Sequence, residues 1–441
     1  MVTAGRDRPS DFLWQARLSA GITSCTITRM ESPSTRRALA RCVRRPVVNG
    51  WIVLAIAALP AAAFAQESRA ALIAAEQAKK AATVTPYVPS GVERTIVKLQ
   101  REFLQDPNGL YPLFASVYSG GGLTLGAGYR QFYGDRTHAD LKGMYSVKGY
   151  KFLEASTDSW GHAAGRIDLH ARVGWRDATQ VAFHGLGMSS PEDGTDYRMK
   201  QGYVGGDLEA RPLIGARWLV TRASLLYEDY SMAPGTGSTP SIEEVHTPAT
   251  APGLGDSPSF IHTRVSAGVD TRPSPGYART GGLAELTYHN YADRADTYTF
   301  DRLDAELVKH VPILRENWVV SLHGLLQTTL HDEDVVPYFL LPSLGSGSTL
   351  RAYGSWRFRD RTALLMSGEF RWIPSRLFLD MAVFYDTGKV TPRFHDLSLR
   401  DLASNVGIGV RFHSPLATPL RIEVAKGREG INIVFAGSAA F

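Results

Sequence analysis

The chain has 441 residues, rich in Gly (42), Tyr (18) and Phe (18), with two cysteines and a formal charge of +5. It contains no apolar run as long as the ~18 residues a membrane-spanning helix needs, which excludes a helical membrane bundle. Residues 1–65 carry nine of the arginines and three of the acids; without them 39 basic and 40 acidic side chains remain, a formal charge of −1 that gives no argument for nucleic acid as a partner.

The N-terminal segment reads as a secretory signal. Arg36, Arg37, Arg41, Arg44 and Arg45 form a cationic region, Trp51 to Leu59 an apolar one, and Ala63-Phe64-Ala65 a small-residue cleavage site before Gln66. Residues 1–29 read as an upstream extension, with Met30 starting a signal of ordinary length. Cys25 and Cys42 both precede the cleavage site, so the exported chain has no thiol, in keeping with an oxidising envelope. Residues 66–110 differ in pattern from the remainder of the chain. Ala70 to Ala82 and Val92 to Leu104 have helical composition, the second with an apolar face of Ile96, Val97, Leu99, Phe103 and Leu104. A tethered periplasmic arm and a plug helix both fit this segment.

From about Gly122 the pattern changes to period two. Leu123, Leu125, Ala127 and Tyr129 alternate with Thr124, Gly126, Gly128 and Arg130, and Ala139, Leu141, Gly143 and Tyr145 with Asp140, Lys142, Met144 and Ser146. Each segment has about the nine to eleven residues that cross a bilayer at a tilt, apolar on one face and polar or small on the other. About sixteen segments are expected, near 122, 136, 148, 163, 177, 197, 215, 260, 281, 299, 317, 362, 377, 403, 418 and 431. An even count suits a closed bacterial barrel. The long connections, roughly 231–259, 331–361 and 389–402, all follow odd-numbered segments, which puts long loops outside and tight turns inside. The fold class is therefore all-β, a 16-stranded antiparallel transmembrane barrel with a short N-terminal helical arm. The domains are a leader (1–65), a periplasmic arm (66–110) and the barrel (111–441). Ile431, Ile433 and Phe435 share a lipid-compatible face, and the terminal Phe441 has their parity.

Alternation in the C-terminal third assigns charges to the lumen. With Leu364, Met366 and Phe370 outward, Glu369 and Arg371 point in; with Leu379, Met381, Val383 and Tyr385 outward, Asp380 and Asp386 point in. Val406, Ile408, Val410 and Phe412 outward leave Gly407, Gly409, Arg411 and His413 inside. Arg371, Asp380 and Arg411 read as general lumenal polarity. Between these strands and the preceding ones lies a long loop containing Ser348-Thr349-Leu350-Arg351-Ala352-Tyr353-Gly354, followed by Arg357, Arg359 and Arg361.

That LRAY stretch after a Gly/Ser-rich run, then GEFRW, FYDTG and GIGVRFHSP in that order, resembles the surface-antigen barrel of the BamA/TamA superfamily. FHGLG (183–187) and DTRPSPGYARTGG (270–282) resemble family segments at corresponding places, and the likeness covers roughly 112–441. It implies that the sixth outer loop folds into the lumen, with Arg351 as the arginine of the loop motif, Tyr353 as its aromatic, Asp386 as its acid partner and Glu369 as a second acid. A guanidinium suits such a lock because it stays charged and binds a carboxylate bidentately. Ala352 stands where the motif has glycine, so a tip needing positive φ must be rearranged or strained. The roughly 45 residues before the barrel are too few for a POTRA domain, so a POTRA-less member is expected.

The resemblance implies a bacterial outer-membrane protein that inserts or translocates polypeptide, with membrane lipid, client polypeptides or a periplasmic protein as partners. A passive porin, or a structural or lipid-handling barrel working with a periplasmic partner, stands as the alternative. Enzymatic motifs do not appear: Gly255-Asp256-Ser257 has the start of an esterase motif but runs into Pro258 in a long loop, and the twelve histidines have no metal-ligand spacing along the chain. No cofactor, metal or catalytic residue is expected.

Overall fold

The structure is a computed structural model that describes residues 107–441 apart from 135, 214–215, 314–316, 334, 375–377, 414–417 and 419. The signal segment and the arm as far as residue 106 lie outside the described residues. One antiparallel sheet of sixteen strands runs in strict sequence order. Its members are β1 (Gly109–Leu113), β2 (Thr124–Gly134), β3 (Thr137–Ser146), β4 (Lys151–Gly161), β5 (Ile167–Phe183), β6 (Thr195–Ala210), β7 (Leu219–Pro234), β8 (Ser259–Asp270), β9 (Gly281–Asp293), β10 (Phe300–Ile313) and β11 (Trp318–Thr329). After a long connection come β14 (Thr362–Trp372), β15 (Leu379–Thr391), β16 (Ala403–Phe412), β17 (Leu420–Gly427) and β18 (Gly430–Ala436). Within that connection β12 (Ser343–Leu344) and β13 (Phe358–Arg359) make a small hairpin of their own.

The period-two reading sets the two faces. Leu125, Leu141, Leu153, Val173, Val265, Leu286, Val383, Ile408 and Ile433 are exposed on one face, while most of their neighbours in sequence turn polar or small side chains to the other, Phe152, Phe384 and Val434 being apolar exceptions. A single exposed Leu is unremarkable, but an apolar row continued over nearly every strand of one sheet is a surface made for a nonaqueous solvent. Among the described residues no helix is long and apolar enough to cross a membrane, which leaves crossing by strands untouched.

The strand count agrees with expectation through two compensating differences. The segments expected near 163 and 177 are one seventeen-residue strand, β5, since Asp177 keeps its pairing with Lys151 on one side and Lys200 on the other. Its alternation breaks at a register shift between Ala178 and Val181, a bulge that turns the strand without ending it. In exchange, β1 was not expected. Five residues with a proline are too few to display a period, yet β1 pairs with β2 from Gly109↔Arg130 to Leu113↔Gly126. The long connections 184–194, 235–258, 330–361 and 392–402 consequently still leave one rim, together with 114–123 and three short ones, while no connection at the other rim exceeds ten residues. The C-terminus also differs: β18 ends at Ala436, and the Phe441 ring stacks 5.0 Å from inward-facing His323 and 6.3 Å from His310, so it does not share the outward face of Ile431 to Phe435.

At the long-loop rim the connections build a core inside the curl of the sheet. Tyr338 and Phe339 from loop 330–361, Ile242 and Ala251 from 235–258, and Val117 from 114–123 pack on the inner-face residues Phe183, Tyr197, Tyr230, Phe260 and Phe300. Tyr338 meets Tyr197 edge-on at 4.9 Å and Phe183 at 5.3 Å. Elsewhere on the inner face, aromatic rings lie flat against glycines directly across a ladder: Tyr111 on Gly128, Tyr203 on Gly174, Phe384 on Gly407. A Cβ on Gly174 would stand 2.4 Å from the Tyr203 hydroxyl oxygen, whereas a Cβ on Gly202 meets nothing within 4 Å. Gly174→Val is therefore expected to lose about 1–3 kcal/mol of stability by displacing the ring, and Gly202→Val almost none. Denaturant unfolding of the two variants in detergent checks the contrast.

Candidate functional site: a buried arginine at the loop tip

The tip of loop 330–361 is carried inward by the β12–β13 hairpin, with Leu344 opposite Phe358. Beyond the hairpin the Trp356 N–H donates to the Gly345 carbonyl at 2.8 Å and the Tyr353 N–H to that of Leu350 at 3.0 Å, so the tip is a closed turn. Leu350, Ala352, Tyr353 and Phe358 then bury against Leu365, Phe384 and Val390 of the sheet. This packing delivers Arg351, only 2% exposed, to the inner wall.

There its guanidinium grips Asp386 bidentately, Nε to Oδ2 and Nη2 to Oδ1, each at 2.8 Å. Nη1 donates to Glu423 Oε1 at 3.0 Å and Glu369 Oε2 at 3.3 Å. Its carbon lies 3.4 Å from the centroid of the Phe384 ring, which the opposing Gly407 leaves room to lie flat. Burial alone would lower the Arg351 pKa, but Asp386, Glu423 and Glu369 outweigh it and raise it above the ordinary arginine value.

The acids are in turn shared. Arg411 donates to both oxygens of Glu369 and, at 2.8 Å, to Glu423; Arg421 donates to Glu423 at 2.6 Å and to the Gly347 carbonyl at 2.9 Å. Arg351, Arg411, Arg421 and the three carboxylates thus form one cluster across β14 to β17, with Arg371 Nε at its margin, 3.7 Å from Glu369 Oε1. Asn405 donates to Asp386 at 2.8 Å and accepts from the Ala352 N–H, and on β18 Asn432 donates to the Arg351 carbonyl at 2.8 Å.

The structure brings Arg351, Asp386 and Glu369 into contact. Tyr353 does a different job: it packs against Phe358 and donates to the Ser404 carbonyl at 3.3 Å, bracing the tip from the side. Arg411 is no generic lumenal charge but a central member of the cluster. Glu423, Arg421, Asn405 and Asn432 were missed, although Arg421 and Glu423 alternate with Leu420, Ile422 and Val424 and were readable by the same parity rule. Asp380 belongs to a second cluster, where Tyr277 donates to it at 2.9 Å, His413 Nε2 lies 3.1 Å away and the Tyr277 and His413 rings stack at 4.0 Å. Arg371 reaches the Ala278 carbonyl beside them.

The later arginines each anchor the loop elsewhere. Arg357 binds Glu429 at 3.0 Å and, through Nη1 and Nη2, Ser190 Oγ and carbonyl at 2.8 Å; Arg359 donates to the Tyr338 carbonyl at 2.9 Å; Arg361 donates to that of His331. Within FHGLG the Gly187 N–H donates to the Arg359 carbonyl at 2.9 Å, so that segment holds the hairpin. Ser257 of the esterase-like triplet accepts the Met232 N–H at 3.1 Å and serves as a loop anchor.

Toward the short-turn rim the inner wall opens into a cavity of about 350 Å³ whose charged lining includes Asp168, His170, Arg172, Asp207, Glu209, Arg222 and Arg264. Salt bridges such as Arg264–Asp207 at 2.8 Å and Arg222–Glu285 at 2.6 Å knit it.

No protein-family model and no curated protein matches the sequence. Among solved structures, BamA from Haemophilus ducreyi lacking POTRA domains 1–3 aligns over 76% of this chain and 71% of its own, with a TM-score of 0.53 and 15% identity. The chain has a BamA-like fold. CdiB from Acinetobacter baumannii aligns over 74% of this chain and 56% of its own at a TM-score of 0.48 and 11% identity.

Within this BamA-like sheet, Ala352 is accommodated without strain. It does not have positive φ, and its methyl group faces Gly427, where an added Cβ would come within 3.0 Å of it and 3.2 Å of the Tyr353 ring. The wall has room for the methyl group because Gly427 carries no side chain. Gly427→Ala is expected to cost about 1–3 kcal/mol, and Ala352→Gly in the same chain to recover much of that. A double-mutant cycle on thermal unfolding checks it, with additive losses as the contrary result.

Proposed function

We propose that the sheet closes into an outer-membrane β-barrel that inserts or translocates polypeptide, with loop 330–361 as a lumenal lock. The observation that carries this reading is the buried Arg351, held by acids from three strands on a loop folded inward. The fold likeness to BamA supports it, and so does the apolar outward face, which suits membrane lipid. A secretory leader at 1–65 and an arm at 66–110 belong to the same reading.

A passive porin needs a water-filled path from rim to rim. The aromatic core that the loops build inside the long-loop rim speaks against that, while the charged cavity on the other side speaks for entry from the short-turn side only. Client polypeptide, or a periplasmic protein presenting it, would engage that side. The sheet edges β1 and β18, five and seven residues long, are the places where a strand could leave toward lipid. Edges this short cost the fewest hydrogen bonds to open. No catalytic step is assigned to any residue.

Arg351→Ala removes one partner of a buried cluster, a change that typically costs about 3–5 kcal/mol. The variant is expected to lose heat-resistant migration on cold gels and to raise planar-bilayer conductance above the wild-type level; unchanged values in both would remove the lock. Deletion of the gene is expected to deplete a subset of outer-membrane or secreted proteins. An unaltered protein profile together with lost uptake of small solutes would overturn the translocase reading and favour a passive channel.

A further inference from the structure

Near the short-turn rim, away from the arginine cluster, β3 and β4 place three metal-ligating side chains together. His138 and Asp140 lie two apart on one strand, hence on one face, and Asp158 stands directly across the ladder from His138. The imidazole and the two carboxylates converge, each offering an atom within 4.8 Å of the others. We propose that His138, Asp140 and Asp158 form a binding site for a divalent cation of the zinc class.

The spacing carries the argument. His138 Nε2 stands 3.4 Å from Asp140 Oδ2 and 3.3 Å from Asp158 Oδ2. Both exceed the usual length of an N–H···O bond, and a neutral imidazole has one proton at that nitrogen to offer two oxygens. A tetrahedral cation with bonds of about 2.05 Å sets its ligand atoms about 3.3 Å apart, so one ion can satisfy both contacts. Mixed imidazole and carboxylate ligation suits zinc better than magnesium or calcium, which prefer oxygen alone.

The outer contacts of the ligands are already built. Asp158 uses its other oxygen on His170 Nδ1 at 2.7 Å, and Asp140 uses its other oxygen on the Tyr111 hydroxyl at 3.0 Å. Such partners hold the liganding oxygens in direction. The ligand face is walled by Trp160, edge-on to His138 at 5.6 Å, and of the three ligands Asp158 is the one that is partly exposed. Against the cation stand Arg130, whose Nη2 donates at 2.8 Å to Asp140 Oδ2, the liganding oxygen itself, and Lys142 Nζ 4.0 Å from the same atom, so a bound ion has to take that oxygen from Arg130. Removal of that guanidinium frees the oxygen and strengthens cation binding. Through Tyr111 a bound ion would tie β1, the sheet edge, to β3.

The test is isothermal titration of the full chain, refolded in detergent and freed of metal with a chelator, against zinc chloride. One saturable site is expected. His138→Ala and Asp158→Asn should each weaken it at least about tenfold, Arg130→Gln should tighten it severalfold, and His323→Ala should leave it unchanged. Gel heat modifiability verifies that each variant folds, and the near-isosteric Asp158→Asn decides the matter if His138→Ala does not. Cobalt in place of zinc should give the intense visible absorption of four-coordination. Absence of saturable binding, wild-type affinity in Asp158→Asn, or the weak spectrum of six-coordinate cobalt would each overturn the proposal.

Discussion

A guanidinium without water must have carboxylates around it, and that constraint organises the C-terminal third of this protein. Arg351 cannot be buried unless Asp386, Glu369 and Glu423 are already on the inner wall, and those acids cannot be buried together without Arg351, Arg411 and Arg421. Each member removes the desolvation penalty of its neighbours only while all are in place. The cluster therefore acts as a register check: a one-residue slip of any of β14 to β17 would turn its charge toward the apolar face.

The loop also links distant parts of the sheet. On one flank it binds β18 through Asn432 and the β17–β18 turn through Glu429. On the other, Trp356 stacks on Tyr118 at 4.9 Å and donates to the Ser119 carbonyl at 3.1 Å, in the connection that follows β1. Trp356 does this with φ at 65°, a conformation that costs a bulky residue energy and persists only where its surroundings enforce it. Among the described residues the ladder has β1 and β18 as its two ends, so the chain segments flanking both edges are joined through side chains of the loop.

Much of this was legible in the sequence because a strand between an apolar and a polar environment leaves a period-two record. That record alone assigned the inward direction of Glu369, Asp380, Asp386 and Arg411, and the family motif identified which loop residue would meet them. It failed where the record is too short, as in β1, or where a bulge interrupts it without ending the strand, as in β5. Glu423 and Asn432 lay within reach of the same parity argument. The fit of Ala352 against Gly427 did not, since 75 positions separate a methyl group from the space that receives it. His138 and Asp158 were invisible for a related reason: ligand spacing along a chain detects sites built on one turn, and this pair meets only across a ladder.

The two rims divide the work of stability. Apolar burial drives folding where water would otherwise be the neighbour, and on the proposed reading an outward face set in lipid gains little from it. The sheet must find its cohesion inside, and it does so in two chemistries: aromatic packing beneath the long loops, ion pairs and hydrogen bonds along the rest of the wall. The first is indifferent to salt and excludes water. The second tolerates water and rearranges pair by pair where a side chain has more than one partner of opposite charge, as Arg222 has in Glu209 and Glu285. Rearrangement is thus cheaper along the charged part of the wall than in the aromatic core beneath the long loops.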